Sequence, residues 1–383
     1  MRKKFIVIHN IPSPYRVHLF AELCKNLQKK DIDFHVHFMT RNLGKGRPAY
    51  WRDQELAFPH TYWTDLGYKS YHLNIGMIFY LMFSRPSDFV LLGSGFDSFT
   101  GILMTLFVPR KKSILWTESN TKTPGKTTGL RGMIKRYIFL HHDYISVPPG
   151  LEGRKYVELY QSLSNKPFPP MIPLPNLVNE KLFSDSRCEK NIRTKIREEL
   201  GVLITEKMAL CPARLEPCKG LLEFFSAIPS EALNNWKFII VGEGSLMSKL
   251  QELLVQRGLE KHVLIKKYVP YDQMPSLYAA ADMFVLPSVD DQNPLSVVEA
   301  LHSALPVLVS KRVGNYAEAV SEGETGWGFS PLDKDETARQ AVKAFGASDE
   351  ELKRMGVAAQ RLAKLNWSTE DSIRQFLEAL EIR

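Results

Sequence analysis

Short aliphatic runs alternate with longer amphipathic segments along most of the 383-residue chain. This alternation is typical of strand–helix units, whose strands form parallel sheets. It predicts an α/β fold. In the first half the predicted strands are 5–8, 34–39, 89–92, 113–116, 144–147 and 171–174, and the predicted helices are 15–27, 99–106, 130–141 and 150–160.

The same alternation restarts after a polar stretch at 176–192, which we interpret as a linker. After Asp335 only helices are predicted, with a break at 366–368 and a final amphipathic helix to Arg383. Because the length exceeds that of one ordinary core, two parallel-sheet lobes are favoured over one large sheet. In the second lobe the predicted strands are 208–211, 238–241, 263–265, 283–286 and 307–309, and the predicted helices are 221–227, 245–256, 274–280, 294–302 and 315–321.

The loop after strand 208–211 carries two cations ahead of a helix. Arg214 and Lys219 are five residues apart. Arginine binds phosphate through paired hydrogen bonds and lysine as a point charge, and a helix N-terminus adds backbone N–H groups. This spacing is suited to a pyrophosphate. The alternative, a solvated loop with two surface cations, stays open on this motif alone.

A second motif is Val241-Gly242-Glu243-Gly244 at the end of a predicted strand. Glycines there permit a tight turn and close approach of the backbone to a ligand. The third glycine of a dinucleotide-binding fingerprint is missing, and no acidic residue stands where that fingerprint needs one. A nicotinamide-dependent oxidoreductase is therefore disfavoured.

A third motif follows strand 283–286. Asp291 lies in a loop before a predicted helix, and Glu299 lies about two turns along that helix. Such a pair can offer one carboxylate to sugar hydroxyls and the other to a ribose. The alternative is an acid at a helix N-terminus together with a surface glutamate.

In this order, the three motifs resemble family 4 of the retaining, nucleotide-sugar-dependent glycosyltransferases, which have the GT-B fold. The resemblance covers nearly the whole second half and continues through 304–307 and 323–326. Residues 174–179 resemble the family's Pro-Asn-Gly-Val-Asp segment, and Trp367-Ser368 resembles its crossover to the final helix. The resemblance implies two facing Rossmann-like lobes, with an acceptor-binding lobe at 1–180, a donor-binding lobe at 181–366 and a helix at 367–383 that crosses back to the N-terminal lobe.

The resemblance also implies roles for single residues. Arg214 and Lys219 should hold the donor diphosphate and stabilise the departing phosphate, Asp291 should face the donor sugar, and Glu299 should bind the ribose. The family usually has Glu followed by Phe-Gly where this chain has Asp291-Gln292-Asn293, which leaves the donor sugar open. The other residues expected at the donor are Gly242, Gly244, Gln292, Asn293, Pro294, Leu295 and Ser296.

The first lobe departs further from the family pattern. Residues 10–16 end in Pro14-Tyr15-Arg16 where many relatives have a Gly-Gly loop, which resembles a bacterial subgroup, and Pro14 suits the first position of a helix. We expect Tyr15 and Arg16 to line the acceptor side, with structural capping of the helix as the alternative.

Glu118 follows strand 113–116, where many relatives carry a histidine. A carboxylate there can position or deprotonate the acceptor hydroxyl, or stabilise positive charge on the sugar. The alternative is a salt-bridged surface acid.

No metal and no cofactor are expected. His35 and His37 share one strand face but lack a third ligand, and Asp31-Ile32-Asp33 precedes a strand, so we interpret it as a turn. The cysteines form no Cys-x-x-Cys pair and are interpreted as packing residues in a reducing cytosol. They are Cys24, Cys188, Cys211 and Cys218.

The net charge of +8 is unevenly distributed, since residues 1–185 carry +11 and residues 186–383 carry −3. This asymmetry favours an anionic acceptor or membrane surface at the first lobe. Basic residues at 110–136 lie beside apolar residues 137–140, as in a patch for an anionic membrane, although a solvated face is the alternative. No apolar run approaches the ~20 residues of a membrane span. No signal peptide is recognised either, so a cytoplasmic location, or one at the inner face of the plasma membrane, is expected.

The resemblance implies a retaining, metal-independent glycosyltransferase. It would move a sugar from a nucleotide diphosphate, UDP or GDP, to an acceptor hydroxyl in bacterial polysaccharide or glycan synthesis. The acceptor would be a glycan or a lipid-linked glycan, and no nucleic acid is expected as a partner. The alternatives are a GT-B-fold sugar-nucleotide epimerase or phosphorylase, and a non-catalytic module that binds polyanions or membranes.

Overall fold

A computed structural model describes residues 2–41, 55–67, 72–84, 86–93, 99–107, 110–121, 127–148, 150–186 and 190–382. The chain divides into two compact units, Met1–Leu177 with Thr369–Arg383, and Val178–Ser368. The predicted boundaries were 180/181 and 366/367. The last helix of the chain therefore belongs to the first unit.

The first unit contains a parallel sheet whose described strands have the order β3-β2-β1-β4-β5-β6-β7. The strands are β1 (Lys3–His9), β2 (Ile32–Phe38), β3 (His60–Tyr62), β4 (Ser87–Leu92), β5 (Arg110–Trp116), β6 (Tyr144–Val147) and β7 (Met171–Pro173). The helices between them are α1 (Pro14–Gln28), α2 (Ile75–Phe83), α3 (Phe99–Phe107), α4 (Gly129–Leu140) and α5 (Leu151–Ser162).

The second unit contains a second parallel sheet, of order β10-β9-β8-β11-β12-β13. Its strands are β8 (Lys207–Pro212), β9 (Trp236–Val241), β10 (Val263–Lys266), β11 (Met283–Leu286), β12 (Val307–Ser310) and β13 (Gly326–Phe329). Its helices are α6 (Glu180–Asp185), α7 (Lys190–Glu199), α8 (Leu221–Ala227), α9 (Met247–Gln256), α10 (Met274–Ala280), α11 (Leu295–His302), α12 (Tyr316–Ala319), α13 (Lys334–Phe345) and α14 (Asp349–Asn366). The final helix, α15 (Thr369–Ala379), packs on α1 and β7 of the first unit.

Both faces of the first sheet are covered by helices. Along β1, Phe5 and Val7 belong to one apolar cluster and Ile6 and Ile8 to the other, because successive side chains of a strand point to opposite faces. Helices α1 and α15 contribute to the first cluster, and α2, α3, α4 and α5 to the second. Burial on both faces explains why the strand is a continuous apolar run.

The predicted α/β class and the two parallel sheets are confirmed. The linker at 176–192 is wrong, because α6 and the start of α7 lie within it. The Asn179 side chain caps α6 by accepting a hydrogen bond from the N–H of Leu182, and Phe183 is fully buried. A single buried residue in a six-residue helix is too little to produce a periodic pattern.

Three further elements were not predicted. Strand β13 has the sequence Gly-Trp-Gly-Phe, whose glycines disfavour a strand, and β3 has only three residues. Helix α2 is apolar all round and so has no helical period. The predicted turn at 31–33 is correct only for Asp31, which has a φ of 57°, because β2 begins at Ile32.

No helix in the described ranges combines the length and the apolar character needed to cross a membrane.

Candidate active site

The predicted donor loops lie at the switch point of the second sheet. The chain leaves β8 toward β9 on one side, and later crosses to β11 on the other side of β8. Ligands of open parallel sheets bind beyond the carboxyl ends of the strands at such a point. The loops that follow β8 and β11 contain Lys219 and Asp291 respectively.

Backbone hydrogen bonds join these two loops. The N–H groups of Val289 and Asp290 donate to the carbonyl oxygen of Cys218, at 2.9 and 3.1 Å. Gly220 is left-handed, with a φ of 66°, and a Cβ there would overlap the carbonyl of Pro287. Only glycine fits this position, where the first loop turns into α8 under the second loop.

Lys219 and Asp291, which were predicted from separate motifs, are in contact. The Nζ of Lys219 donates to Oδ2 of Asp291, and the two side chains are 16% and 15% exposed. The buried hydroxyl of Ser288 lies 3.5 Å from the same carboxylate oxygen. A cation is thereby held at the switch point by an acid that is itself fixed in place.

Gly242 and Gly244 make room for protein backbone. A Cβ at Gly242 would overlap the carbonyl oxygen of Ala213, and a Cβ at Gly244 would overlap that of Leu215. The N–H of Leu215 donates to the Glu243 carbonyl at 2.9 Å. These glycines therefore fix the loop that carries Arg214, whose own side chain is exposed. Their contact with a donor stays a prediction.

A further contact of the loop that carries Arg214 was not predicted from the sequence. The Glu216 carboxylate accepts hydrogen bonds from the hydroxyl and the N–H of Ser245, at 2.7 and 3.2 Å. These bonds, and the charge of nearby Arg214, lower the pKa of Glu216. A fixed negative charge thus lies close to the exposed Arg214.

Glu299 is buried in α11 and is not the surface residue of the alternative interpretation. Its Oε2 accepts a hydrogen bond of 2.7 Å from the hydroxyl of Tyr278. Burial raises the pKa of Glu299 to about 7, although the bond from Tyr278 lowers it. The ring of Tyr278 packs between Phe183 and Phe284. The carboxyl group is therefore held in one position, and its protonation state changes near neutral pH.

The residues between the two acids form the start of α11. Gln292 is exposed, and Asn293 is half-buried. Pro294 is buried at the N-cap position, where the predicted helix began one residue early, and its carbonyl accepts from Asn315 Nδ2 at 3.1 Å. Leu295 and Ser296 are the first helical residues, and both are half-buried.

In the first unit, Arg16 and Glu118 form an ion pair. The Nη2 of Arg16 lies 2.8 Å from Oε1 of Glu118, and its guanidinium group lies 3.7 Å from the ring centre of Trp116. Asn176 Nδ2 donates to the same oxygen of Glu118. The Arg16 side chain is 5% exposed and that of Glu118 is 30% exposed. Glu118 is thus a salt-bridged acid, as the alternative interpretation of the sequence expected. Its partner, Arg16, is however buried and not a surface residue.

Pro14 is the first residue of α1, as predicted, and Ser13 occupies the N-cap position. Neither Tyr15 nor Arg16 caps the helix, so the structural alternative for these two residues is wrong in that form. Tyr15 is half-buried, and the guanidinium group of Arg16 lies 5.4 Å from the centre of its ring.

Several buried polar atoms around this ion pair have no hydrogen-bond partner among the described residues. They are the hydroxyl oxygen of Ser13, Nε and Nη1 of Arg16, and Oδ1 of Asn176. Buried polar atoms of this kind usually have a partner in a folded protein. Two donors on a fixed guanidinium group, beside an amide oxygen and a hydroxyl, can bind a polar ligand such as a sugar.

His35 and His37 are packing residues in the described part of the chain. Trp63 Nε1 donates to Nδ1 of His37 at 3.1 Å, and His35 Nε2 lies 2.9 Å from the hydroxyl of Thr61. Burial lowers the pKa of His37 to about 3. No group of three or more His, Cys, Asp or Glu side chains that could hold a metal occurs in the described ranges. Cys24 and Cys211 are buried, whereas Cys188 lies outside the described residues.

Comparison with known proteins matches residues 192–362 to the family model "Glycosyl transferases group 1". The matched range contains Arg214, Lys219, Asp291 and Glu299. This segment, a little under half of the chain, is similar to a glycosyltransferase group 1 domain. The resemblance derived from the sequence is therefore confirmed for this range, whereas the Pro-Tyr-Arg subgroup stays a prediction.

Relatives of the glycosyltransferase domain occur in bacterial glycan synthesis. The chain is 30% identical over 188 residues to a GDP-mannose-dependent α-(1-6)-phosphatidylinositol monomannoside mannosyltransferase of Mycolicibacterium smegmatis, covering 47% of this chain and 48% of that protein. It is 31% identical over 147 residues to a UDP-Gal:α-D-GlcNAc-diphosphoundecaprenol α-1,3-galactosyltransferase of Escherichia coli, covering 37% of each. The chain thus matches less than half the length of these curated relatives.

The fold extends beyond the matched domain. The structure superposes on the crystal structure of HepE from Anabaena in complex with UDP over 99% of each chain, with a TM-score of 0.75 and 14% sequence identity. At that identity the likeness concerns the fold alone. It confirms the predicted GT-B fold, with its two Rossmann-like halves.

Removal of the Arg16 guanidinium should destabilise the first unit, because it leaves the Glu118 carboxylate without its cation. Breaking a fully buried pair costs about 3–5 kcal/mol. Since Glu118 is 30% exposed, we expect Arg16→Met to lower the free energy of unfolding by about 2 kcal/mol in urea denaturation. The double variant Arg16→Met/Glu118→Gln should recover at least half of this loss. Equal loss in the single and double variants would show that the ion pair is not the cause.

Proposed function

We propose that the protein is a retaining glycosyltransferase that moves a sugar from a nucleotide diphosphate to an acceptor hydroxyl. The observation that carries the proposal is the contact between Lys219 and Asp291 at the switch point of a glycosyltransferase group 1 domain. It brings a cation for the diphosphate next to an acid for the sugar. Glu299, buried at the start of the second turn of α11, supplies the carboxylate for the ribose.

The proposed reaction breaks the bond between the anomeric carbon and the phosphate oxygen. The bonding electrons leave with the nucleotide diphosphate, and its added negative charge is stabilised by Arg214 and Lys219. These two cations take the place of a metal, so no divalent cation is required. The acceptor oxygen attacks the same face of the sugar and gives its proton to the leaving phosphate oxygen, which retains the anomeric configuration.

The first unit is proposed to bind the acceptor at Tyr15, Arg16 and Glu118. The unpartnered nitrogens Nε and Nη1 of Arg16 and the unpartnered Oδ1 of Asn176 support this assignment, since buried polar atoms require a polar ligand or water. The two relatives described above are named for the donors GDP-mannose and UDP-Gal and for acceptors that contain a phosphatidylinositol monomannoside and a diphosphoundecaprenol. We therefore propose a UDP- or GDP-sugar as donor, a glycan or lipid-linked acceptor, and action at the inner face of the plasma membrane.

The test is a thermal-shift panel of UDP, GDP, ADP and their sugars. A ligand at 100 times its Kd stabilises the folded state by about 2.7 kcal/mol. We expect UDP or GDP to raise the Tm by several degrees, and Arg214→Ala/Lys219→Ala to abolish the shift. The bound sugar nucleotide is then incubated with and without glycan acceptors. Silence across the panel contradicts a donor site. Turnover without acceptor indicates an epimerase, and strict dependence on phosphate indicates a phosphorylase.

A further inference from the structure

The outward face of α2 carries large apolar side chains that no described element covers. Ile75, Phe79 and Phe83 follow one another at four-residue intervals and therefore form one stripe on the helix. Phe79 is 55% exposed and Phe83 is 82% exposed, and their rings are stacked. The opposite side of the helix, with Met77 and Leu81, already fills the core.

Helix α4 has a similar stripe. Leu130, Met133, Ile134 and Tyr137 have the three- and four-residue spacing of an amphipathic helix, yet all four are exposed. Ile138 and Phe139 are the residues that α4 buries in the core. In a globular protein such an apolar stripe normally faces the core. In α4 it faces outward, and other residues of the helix are buried instead.

These stripes lie on one face of the first unit. Helices α2, α3 and α4 all contribute buried residues to the same cluster on one side of the sheet, and α3 adds Phe99, Leu106 and Phe107 as exposed apolar residues. On the other side of the sheet, α1 and α15 expose no large apolar side chain among their described residues. We call the surface formed by the exposed residues of α2, α3 and α4 the apolar face. Helices α2 and α3 are in contact, and α4 lies on the same side of the sheet. Exposed apolar surface of this extent marks a site of interaction with a protein or a membrane.

The charge on this face has a single sign. The sequences of α2, α3 and α4 contain no Asp or Glu, while α4 carries Arg131, Lys135 and Arg136. Arg131 is exposed at the edge of the α4 stripe. Helix α5, which packs against α4 on the same side of the sheet, carries charges of both signs, so the cationic character is confined to the apolar face itself. An apolar face whose own charges are all cationic is complementary to lipid head groups that are anionic.

The structure also revises the basic patch expected at 110–136. Lys111 is paired with Asp88 and Lys112 with Glu381, so their charges are already balanced within the first unit. Lys122, Lys126 and the side chain of Arg110 lie outside the described residues. The cations that remain in the described part of the patch are those of α4, next to the apolar stripe.

We propose that the apolar face binds the surface of an anionic lipid bilayer, with Phe79, Phe83 and the α4 stripe entering the interfacial region and Arg131 contacting head groups. The inference rests on the proposed function, because a lipid-linked acceptor would then be presented to the unit that carries Arg16 and Glu118. It differs from the patch expected from the sequence in placing α2 and α3 at the centre of the contact.

The experiment measures binding of the full chain to vesicles of phosphatidylcholine, with and without 30% phosphatidylglycerol, by flotation. We expect binding to the anionic vesicles, at least tenfold weaker binding to the neutral ones, and loss of binding in 0.5 M NaCl. Phe79→Ala/Phe83→Ala and Arg131→Glu should each weaken binding about tenfold or more.

Matched controls come from the second unit. Val357→Ala/Leu365→Ala removes two exposed apolar side chains, and Arg361→Glu reverses one exposed charge, so both should bind as the wild type does. Near-ultraviolet circular dichroism checks that every variant is folded. Wild-type binding by Phe79→Ala/Phe83→Ala, equal binding to both vesicle types, or no binding to either overturns the proposal. If the wild type binds no vesicles but forms a dimer that Phe79→Ala/Phe83→Ala abolishes, the proposal is overturned, and the apolar face instead binds a second copy of the chain. The flotation assay contains no sugar nucleotide, so its outcome does not depend on whether the protein binds a donor. Failure of this proposal can therefore be distinguished from failure of the proposed function, which the nucleotide thermal shifts test.

Discussion

Lys219→Ala is expected to lower the rate of sugar transfer by a factor of about 10²–10³. This is the effect of removing one group that stabilises charge on a leaving oxygen in a water-poor site. Lys219 is 16% exposed, and its position is fixed by Asp291 and by the left-handed Gly220 next to it. The measurement is turnover of the donor identified by thermal shift, at saturating acceptor.

Two further variants separate this role from a structural one. Lys261→Ala removes an exposed lysine from the same unit and should leave turnover unchanged. If Lys219 served only to neutralise Asp291, the double variant Lys219→Ala/Asp291→Asn would be as active as Asp291→Asn alone. We expect the double variant to be less active than Asp291→Asn, because the leaving phosphate still lacks its cation. Wild-type turnover by Lys219→Ala, or equal turnover by the double variant and Asp291→Asn, contradicts the assignment.

Glu299→Gln should stabilise the unliganded protein at alkaline pH but not at acidic pH. Burial raises the pKa of Glu299 from 4.5 to about 7, so the folded state binds this proton more tightly than the unfolded state. The stability associated with the proton is complete below pH 4.5 and is lost as the pH rises through 7. At 1.36 kcal/mol per pKa unit, the wild type loses about 3 kcal/mol by pH 8, whereas the variant loses none of it. Urea denaturation at pH 4.5 and pH 8 measures the difference.

The control for this prediction is Glu252→Gln, an exposed glutamate of α9 whose replacement should have no pH-dependent effect. Donor binding should show the opposite dependence. A ribose hydroxyl that donates to Glu299 favours the charged carboxylate, so the donor affinity of the wild type should increase as the pH rises through 7. In Glu299→Gln this increase should disappear. A pH-independent stability difference between wild type and Glu299→Gln would show that the carboxyl is ionised normally in the fold.

Periodicity in the sequence predicted the core strands correctly because parallel strands are buried on both faces. The strand 283–286 was predicted residue for residue, as were helices α8 and α10. The same rule missed β13, where glycines replace β-branched residues, and α2, whose apolar residues continue around the helix. It also placed a linker over α6, since one buried Phe183 gives no period.

Motif order alone predicted the resemblance to glycosyltransferases that the match at 192–362 confirms, and it singled out Arg214, Lys219, Asp291 and Glu299 as candidate site residues. What the sequence could not indicate is which of these residues touch and which of them are buried. The contact of Lys219 with Asp291 joins positions 72 residues apart, and the burial of Glu299 depends on Tyr278 from another helix. Likewise, Arg16 pairs with Glu118 across 102 positions, and the apolar stripe of α4 faces outward while Ile138 and Phe139 of the same helix are buried. Local pattern reflects how each segment buries its own side chains, whereas ion pairing, desolvation and leftover apolar surface depend on packing between segments distant in the chain, which only the tertiary structure decides.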